Sequence, residues 1–397
     1  MRTTWPDIPF HDVFAEPTRN GVSVASAERA SGTPMVNMGE LFDYKRIPDM
    51  SLARVPLDEP ELSRSTLRTH DLLFARRSLK WDGAGKCSII LSAEEDRTFE
   101  SSIIRVRIDP TLADPRFYFY WFTSEVGHRR IGTIVEQVAV AGIRGSDLGR
   151  LLVPYPAPEE QRRIASGLWA IDDRIDINWR LIKTIERSLR ARYSKLIYEH
   201  ADTGHIDTIA SLVSSVKTKA ARRHATLPYI GLEHMPQFHI FLGEWGCALD
   251  SKTATRAFLS GDVLFGRIRP YLGKVGLALT SGVCAQSVEV LRPTEDGLRE
   301  FVLLLLASPE VINYADQVST GTTMPQAPWD AVEAFEVVVP PRRAIDNFSA
   351  VARPLIERAS NAVREVRVLT ALRERLAFRE MTPLSQPHPC PTVEALA

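Results

Sequence analysis

A chain of 397 residues is long enough for two or three domains, and a composition of 44% hydrophobic and 25% charged residues is that of an ordinary folding sequence, not a disordered one. The 49 Lys and Arg offset 49 Asp and Glu, which argues against a free-standing, non-specific polyanion binder but leaves room for local basic patches. No basic segment followed by an apolar run opens the chain, the longest apolar run (Phe301–Ala307) is too short for a bilayer, and Cys87, Cys247, Cys284 and Cys390 lack metal or disulfide spacing. A reduced cytoplasmic protein with no membrane contact is the expectation.

The first globular stretch is read as residues 1–157. It opens on Trp5–Phe14, continues through Val36-Asn37-Met38-Gly39, and reaches His70-Asp71 followed by Leu72-Leu73-Phe74-Ala75-Arg76. The run Ile103–Arg107 is strand-like, Phe117–Phe122 is a dense apolar block, and Ser124-Glu125-Val126 follows it. A proline cluster, Val153-Pro154-Tyr155-Pro156-Ala157-Pro158, then punctuates the chain. Strand-like and helical runs alternate, which predicts an α+β module. Its basic residues Arg76, Arg77, Lys80 and Lys86 cluster around Trp81. Gly83-Ala84-Gly85-Lys86-Cys87-Ser88 has the look of a phosphate loop but lacks the earlier glycine and the Ser or Thr after Lys, so it is read as a turn.

Residues 158–202 carry the first long helical signal. Ile164, Leu168, Ile171, Ile175, Ile182, Ile185, Leu189 and Leu196 fall on alternating spacings of three and four, with Asn178 and Arg192 at the two polar positions. A heptad kept up over this length predicts a coiled-coil seam. Residues 162–198 as one helix would span roughly 55 Å at ~1.5 Å per residue.

Residues 203–340 repeat the order of the first stretch. Tyr229-Ile230-Gly231-Leu232, then Gly261-Asp262 with Val263-Leu264-Phe265-Gly266-Arg267, then Val288–Arg292, the apolar Phe301–Leu306, Ser308-Pro309-Glu310-Val311 and finally Val339-Pro340-Pro341 match their counterparts in sequence. Basic and polar residues cluster again: Lys217, Lys219, Arg222 and Arg223 near the start, Arg267, Arg269 and Lys274 around Tyr271, and the loop Gly321–Gln326 with Thr322, Thr323 and Gln326. Arg and Lys read guanine and bind phosphate, while Asn and Gln read adenine. Arg76 and Arg267 recur between the halves, which suits a shared structural or phosphate role; base readers are expected where the halves differ.

Residues 341–381 carry the second long helix. Ile345, Phe348, Ala352, Leu355, Ala359, Ala362, Val366, Leu369 and Leu376 keep the heptad, with Arg373 as the polar exception. Its small residues complement the larger Ile and Leu of the first helix, so an intramolecular antiparallel pair is expected, with the two modules at its opposite ends. The tail, residues 382–397, holds four prolines and is expected to be disordered.

This order resembles the specificity subunits of Type I restriction-modification systems. The resemblance is carried by the run Gly261–Arg267 and its counterpart His70–Arg76, by Pro156-Ala157-Pro158-Glu159-Glu160-Gln161-Arg162-Arg163-Ile164-Ala165 leading into the first helix, and by the module openings Trp5–Phe14 and Ile206–Val213. It covers residues 5–380, and its specificity lies in the ordered set appearing twice. Two departures stand out: Pro341-Arg342-Arg343-Ala344-Ile345 lacks the Glu-Gln pair, and the first Gly-Asp motif begins with His70.

The resemblance implies two target recognition domains, each reading one half of a split site in double-stranded DNA, and helices that set the spacer and dock methyltransferase subunits. It implies no catalysis and no cofactor in this chain. S-adenosylmethionine would belong to the methyltransferase subunits, and ATP with Mg to a restriction and translocation subunit. With one DNA turn at ~34 Å, a spacer of roughly five to eight base pairs is expected.

The same residues leave other functions open. A recognition subunit for a fused methyltransferase-nuclease has the same sequence signature. A nuclease in its own right would rest on Asp43 with Lys45 or Asp250 with Lys252, pairs that arise readily by chance. No Asn- or Asp-Pro-Pro-aromatic loop marks a methyltransferase, the nine histidines lack zinc spacing, and a purely structural coiled-coil protein remains the bland alternative.

Overall fold

Leu72–Ala75 and Val263–Gly266, both without a polar side chain, are the central strands of two five-stranded sheets. The computed structural model describes residues 5–24, 31–137, 140–218, 227–248 and 255–381. These form two compact units, one gathering the described residues up to Asp173 with those from Ala371 to Met381, the other Arg174–Thr370.

The two sheets share one topology. In the first unit the order is Arg19–Asn20, Ile103–Val106, Leu72–Ala75, Cys87–Ile90 and Arg46–Ile47. In the second it is Val213–Ser215, Val288–Pro293, Val263–Gly266, Val275–Ala278 and Phe241–Leu242. The central pairings are antiparallel and the last edge strand joins in parallel in both.

An unbroken apolar strand signals burial on both faces. Strand alternation sends Leu72 and Phe74 into one core and Leu73 and Ala75 into another. In the second unit Val263 and Phe265 are separated from Leu264 in the same way. The module openings seen in the sequence close each module: Asp7–Pro9 pairs with Leu152–Pro154, and His205–Thr208 with Glu336–Val339.

The repeated Gly-Asp motif has a local physical cause. His70 and Gly261 both have positive φ, 69° and 95°, a region open to glycine and, among other residues, visited by histidine more than most. The following aspartate then turns back. Asp71 accepts the Arg68 N–H at 2.7 Å and Asp262 accepts the Leu259 N–H at 2.8 Å. Each is also held in a two-pronged pair by an arginine far along the chain, Arg107 (36 residues on) or Arg292 (30 residues on). Ser124 and Ser308 likewise cap equivalent helices, accepting from Gly127 and Val311.

The long helices run Pro158–Glu199 and Arg342–Met381. Early residues of the first, Ile164 and Leu168, share a core with Leu376 and Met381. Its later residues Ile182, Ile185 and Leu189 share a core with Ile345, Phe348, Ala352 and Ala359. The helices therefore pair antiparallel, as expected. Ile164, Leu168, Ile175, Ile182, Ile185, Leu189 and Leu196 are buried, as are Ile345, Phe348, Ala352, Ala359, Ala362 and Val366.

The heptad reading needs correction at a few positions. Arg192 is exposed and Tyr193 takes the buried place, packing its ring on Phe301 at 5.8 Å. Ile171 is only half-buried and Asp172 lies inside, while Ile356 displaces the half-buried Leu355; Leu369 and Leu376 are half-buried too. The physical reason is that each helix packs on its module as well as on its partner helix. Its apolar stripe is broader than a two-residue seam and rotated toward the module. The polar exception Arg373 finds Asp172 at 3.0 Å, and Asp172 also accepts the Tyr120 hydroxyl at 2.7 Å.

The departure at the start of the second helix is resolved by other partners. Gln161, fully buried, accepts the Asp114 N–H at 3.0 Å and donates to the Pro156 carbonyl at 2.8 Å. The second helix lacks this glutamine, and Arg342 grips Asp346, Glu295 and the Asp296 carbonyl instead.

Candidate nucleic-acid interface

The basic clusters lie on the loops that leave the central strands, and the chain registers align those loops closely. The Ala75 N–H donates to the Lys86 carbonyl at 2.9 Å, and the Gly266 N–H to the Lys274 carbonyl at 2.8 Å. Lys86 and Lys274 are therefore structural equivalents, closing loops of different length.

Both lysines turn inward. Lys86 Nζ donates to the Phe42 carbonyl at 2.7 Å and sits 4.8 Å from that ring's centroid; Lys274 Nζ donates to the Leu232 carbonyl at 2.6 Å. Arg76 and Arg267 also reach corresponding carbonyls, Ser101 at 3.3 Å and Gln286 at 2.7 Å, and Arg267 lies 3.3 Å from the Glu289 carboxylate. Four of the candidate cations thus bind their own module. What a lysine offers to a phosphate in these positions is spent internally, because a half-buried ammonium requires acceptors close by.

A second loop docks beside each first loop. In the first module Arg77–Ser78 pairs with Ala141–Gly142, which pairs with Glu136–Gln137. In the second, the Arg269 N–H donates to the Pro325 carbonyl at 2.8 Å, and Thr320 and Gln326 exchange backbone bonds at 3.0 and 2.9 Å. Equivalent hydrogen bonds anchor the second loops, from Ile143 N–H to the Arg76 carbonyl and from Ala327 N–H to the Arg267 carbonyl.

These loop pairs assemble the outward-facing side chains. Arg77, Lys80 and Trp81 are exposed in the first module. In the second, Arg269, Tyr271, Thr322 and Thr323 are exposed, while Gln326 is half-buried within the loop pairing. Arg269 adopts a left-handed φ of 51° as the chain turns into the short helix Pro270–Leu272. Lys217 is exposed on a different segment, one whose Thr218 carbonyl accepts from Ala257. Lys219, Arg222 and Arg223 lie outside the described residues, as do Asp250 and Lys252.

Sequence reasoning passed over Phe238, whose N–H donates to the Gly273 carbonyl at 3.2 Å and whose ring stands exposed beside Tyr271's loop. It also passed over Leu79 and Val140. An apolar residue inside a cationic run was the available signal for Leu79.

Three of the described histidines are held by neighbours within their own units. His11 Nδ1 lies 2.7 Å from the Gly149 carbonyl, His234 Nδ1 accepts the Gly231 N–H at 3.0 Å, and His70 stands edge-on to Trp169. Burial, reinforced by Arg116, lowers the His70 pKa below its ordinary value. Burial also lowers that of Lys45. Among the described residues no three His, Cys, Asp or Glu side chains converge as a metal site. None of the described helices is long and apolar enough to cross a membrane.

The contrast between inward and outward cations gives an expected result. Lys274→Met should destabilise the second module by about 1.5–3 kcal/mol, since it removes a charge-assisted hydrogen bond and leaves the Leu232 carbonyl with the Met235 N–H alone. Arg269→Ala should leave the unfolding midpoint unchanged and, on the split-site reading that the resemblance implies, weaken DNA binding by about 1–3 kcal/mol at one half-site only. Urea unfolding and fluorescence-anisotropy titration on half-site variants separate the two; a stability loss in Arg269→Ala equal to that in Lys274→Met would sink the distinction.

Residues 25–187 match the family model of the Type I restriction modification DNA specificity domain. The chain is 20% identical over 291 residues to the Type I restriction enzyme MjaIX specificity subunit of Methanocaldococcus jannaschii, a match spanning 66% of each chain. It is 24% identical over 329 residues to the Type I restriction enzyme EcoDI specificity subunit of Escherichia coli, covering 68% of this chain and 71% of that one. Its fold is similar to the crystal structure of the Type I restriction-modification S subunit from M. genitalium, with a TM-score of 0.65 at 16% identity over 96% of this chain and 97% of that one.

Proposed function

We propose, from its similarity to the specificity subunits of Type I restriction-modification systems, that this chain reads a split DNA target, one half-site per module, for a restriction-modification complex. The observation that carries the reading is the duplication itself. Two modules of one topology present equivalent loop pairs whose inward residues are alike and whose outward residues differ. Arg77, Lys80 and Trp81 stand on one, Arg269, Tyr271, Thr322 and Thr323 on the other. A shared scaffold with divergent tips suits two related readers of unlike sequences, because phosphate contacts position a protein and base contacts specify it.

In this reading the chain is non-catalytic and acts in the cytoplasm. The paired long helices hold the modules and offer docking surfaces to methyltransferase subunits, which carry S-adenosylmethionine. A restriction subunit using ATP and Mg completes the complex. The balanced charge of the chain fits a subunit that shares its DNA with partners.

The test is co-expression with the neighbouring methyltransferase gene, followed by single-molecule sequencing of host DNA for methyladenine. The expected result is one bipartite methylated motif that disappears when this chain is omitted. A soluble assembled complex that leaves the DNA without such a motif would count against the reading.

A further inference from the structure

We propose that Leu79, backed by Val140, forms an apolar tip that contacts the 5-methyl group of a thymine in the half-site read by the first module; this rests on the DNA-reading function above. Leu79 is 93% exposed, more than any other large apolar side chain among the described residues. It does not stand alone. Ser78 pairs with Ala141 and Arg77 with Gly142, so the next positions at the open end of this antiparallel ladder are Leu79 and Val140, and Val140 is 43% exposed. Trp81, two residues on, is exposed as well. Scattered exposed apolar residues need no explanation, but this group shares one ladder end with two cations, Arg77 and Lys80, both exposed.

Three features select DNA as the occupant and thymine as the contact. The flanking charges complement phosphates, and the tip is apolar, so polar base edges are poor partners for it. The Arg77–Ser78 and Ala141–Gly142 strands, two of the three in their small sheet, end in a tip of the size the major groove admits, and there the thymine methyl is the apolar feature a protein can read. The loop from Arg76 to Gly85 is also where the modules diverge. It is longer than the Arg267–Gly273 loop, although Lys86 and Lys274 close both at equivalent positions. A residue that specifies sequence belongs in that difference, not in the repeated frame.

The experiment uses the full chain in complex with its co-expressed methyltransferase subunit, on duplexes of the methylated motif in which each thymine is replaced singly by deoxyuridine. Leu79→Ala provides the second arm, with an unchanged unfolding midpoint expected from its exposure. Wild type should lose about fourfold in affinity at one deoxyuridine position of one half-site, the fold-change that burying a single methyl group gives. Leu79→Ala should bind the thymine duplex about as weakly as wild type binds the deoxyuridine one, with no further loss on combining them. A half-site without thymine, or wild-type binding indifferent to every deoxyuridine, would overturn the contact while leaving the DNA-reading function standing. So would an equal loss in Leu79→Ala on thymine and deoxyuridine duplexes together with a rise in 2-aminopurine fluorescence, which marks a wedge between bases. Failure of wild type to bind the motif at all would overturn the DNA-reading function itself, and the contact with it.

Discussion

Replacing Asp71 with Ala should destabilise the first unit by about 3–5 kcal/mol, the cost of removing one partner from a buried ion pair. Asp71 is 1% exposed and both of its oxygens are in use: Arg107 donates to them at 2.8 and 2.7 Å and the Arg68 N–H at 2.7 Å. Arg107 lies beside a second, wholly buried guanidinium, Arg105, and both also lean on Glu16 at 2.6 and 2.7 Å. Without Asp71, two cations are left with one carboxylate. The equivalent change in the second module, Asp262→Ala, should cost less, about 1–3 kcal/mol, since the Arg292 side chain is 44% exposed and can turn to water. Urea unfolding of the full chain, with hydrogen exchange assigning each loss to its unit, measures both. Equal losses in the two modules would refute the argument from burial.

The same motif shows what the sequence could disclose. The recurrence of a residue before Asp, then three or four apolar residues and Arg, was visible as a pattern, and so was its place in a strand. The partner of the aspartate was not, because Arg107 and Arg292 lie far along the chain and only the antiparallel register brings them across. The departure at His70 looked like a weakening of the repeat; backbone geometry shows it as a second solution to one left-handed turn.

The helices were legible in existence and pairing and less so in phase. A heptad assumes one partner, whereas Tyr193 faces Phe301 of its own module and Asp172 faces Tyr120 and Arg373. Spacing alone cannot anticipate a second packing surface or a buried polar group with its bonds satisfied. For the candidate interface, residue type overstated the number of outward cations. Lys86 and Lys274 look no different from Lys80 in sequence, and their direction is set by carbonyls at Phe42 and Leu232 that a linear reading does not bring near.

Glu186→Ala should cost about 1.5–3 kcal/mol, the range for a hydrogen bond to a charged group, and should remove a pH dependence that Glu186→Gln also removes at smaller cost. Glu186 sits buried on the first long helix, accepting the Ile240 N–H at 2.7 Å through one oxygen and facing His239 Nδ1 at 2.7 Å through the other. The hydrogen bond to Glu186 raises the His239 pKa above its ordinary value of 6.5, against burial and the nearby Lys183 and Arg190. A histidine whose folded pKa is raised stabilises fully below its unfolded pKa, and the contribution fades as pH rises through the folded one. The wild type should therefore lose stability from just above pH 6.5 upward relative to Glu186→Gln, in which glutamine keeps the Ile240 bond and forfeits the charge. NMR titration of His239 and urea midpoints across pH 6–9 check this; parallel curves for wild type and Glu186→Gln would refute it. The consequence extends to the candidate interface, because the residue before His239 is Phe238, whose N–H bonds the Gly273 carbonyl and whose own carbonyl accepts from Arg190 on the same helix at 3.1 Å. Glu186 and Arg190, one helical turn apart, thus hold the segment that borders the Tyr271 loop, and releasing it should weaken reading of the second half-site while sparing the first.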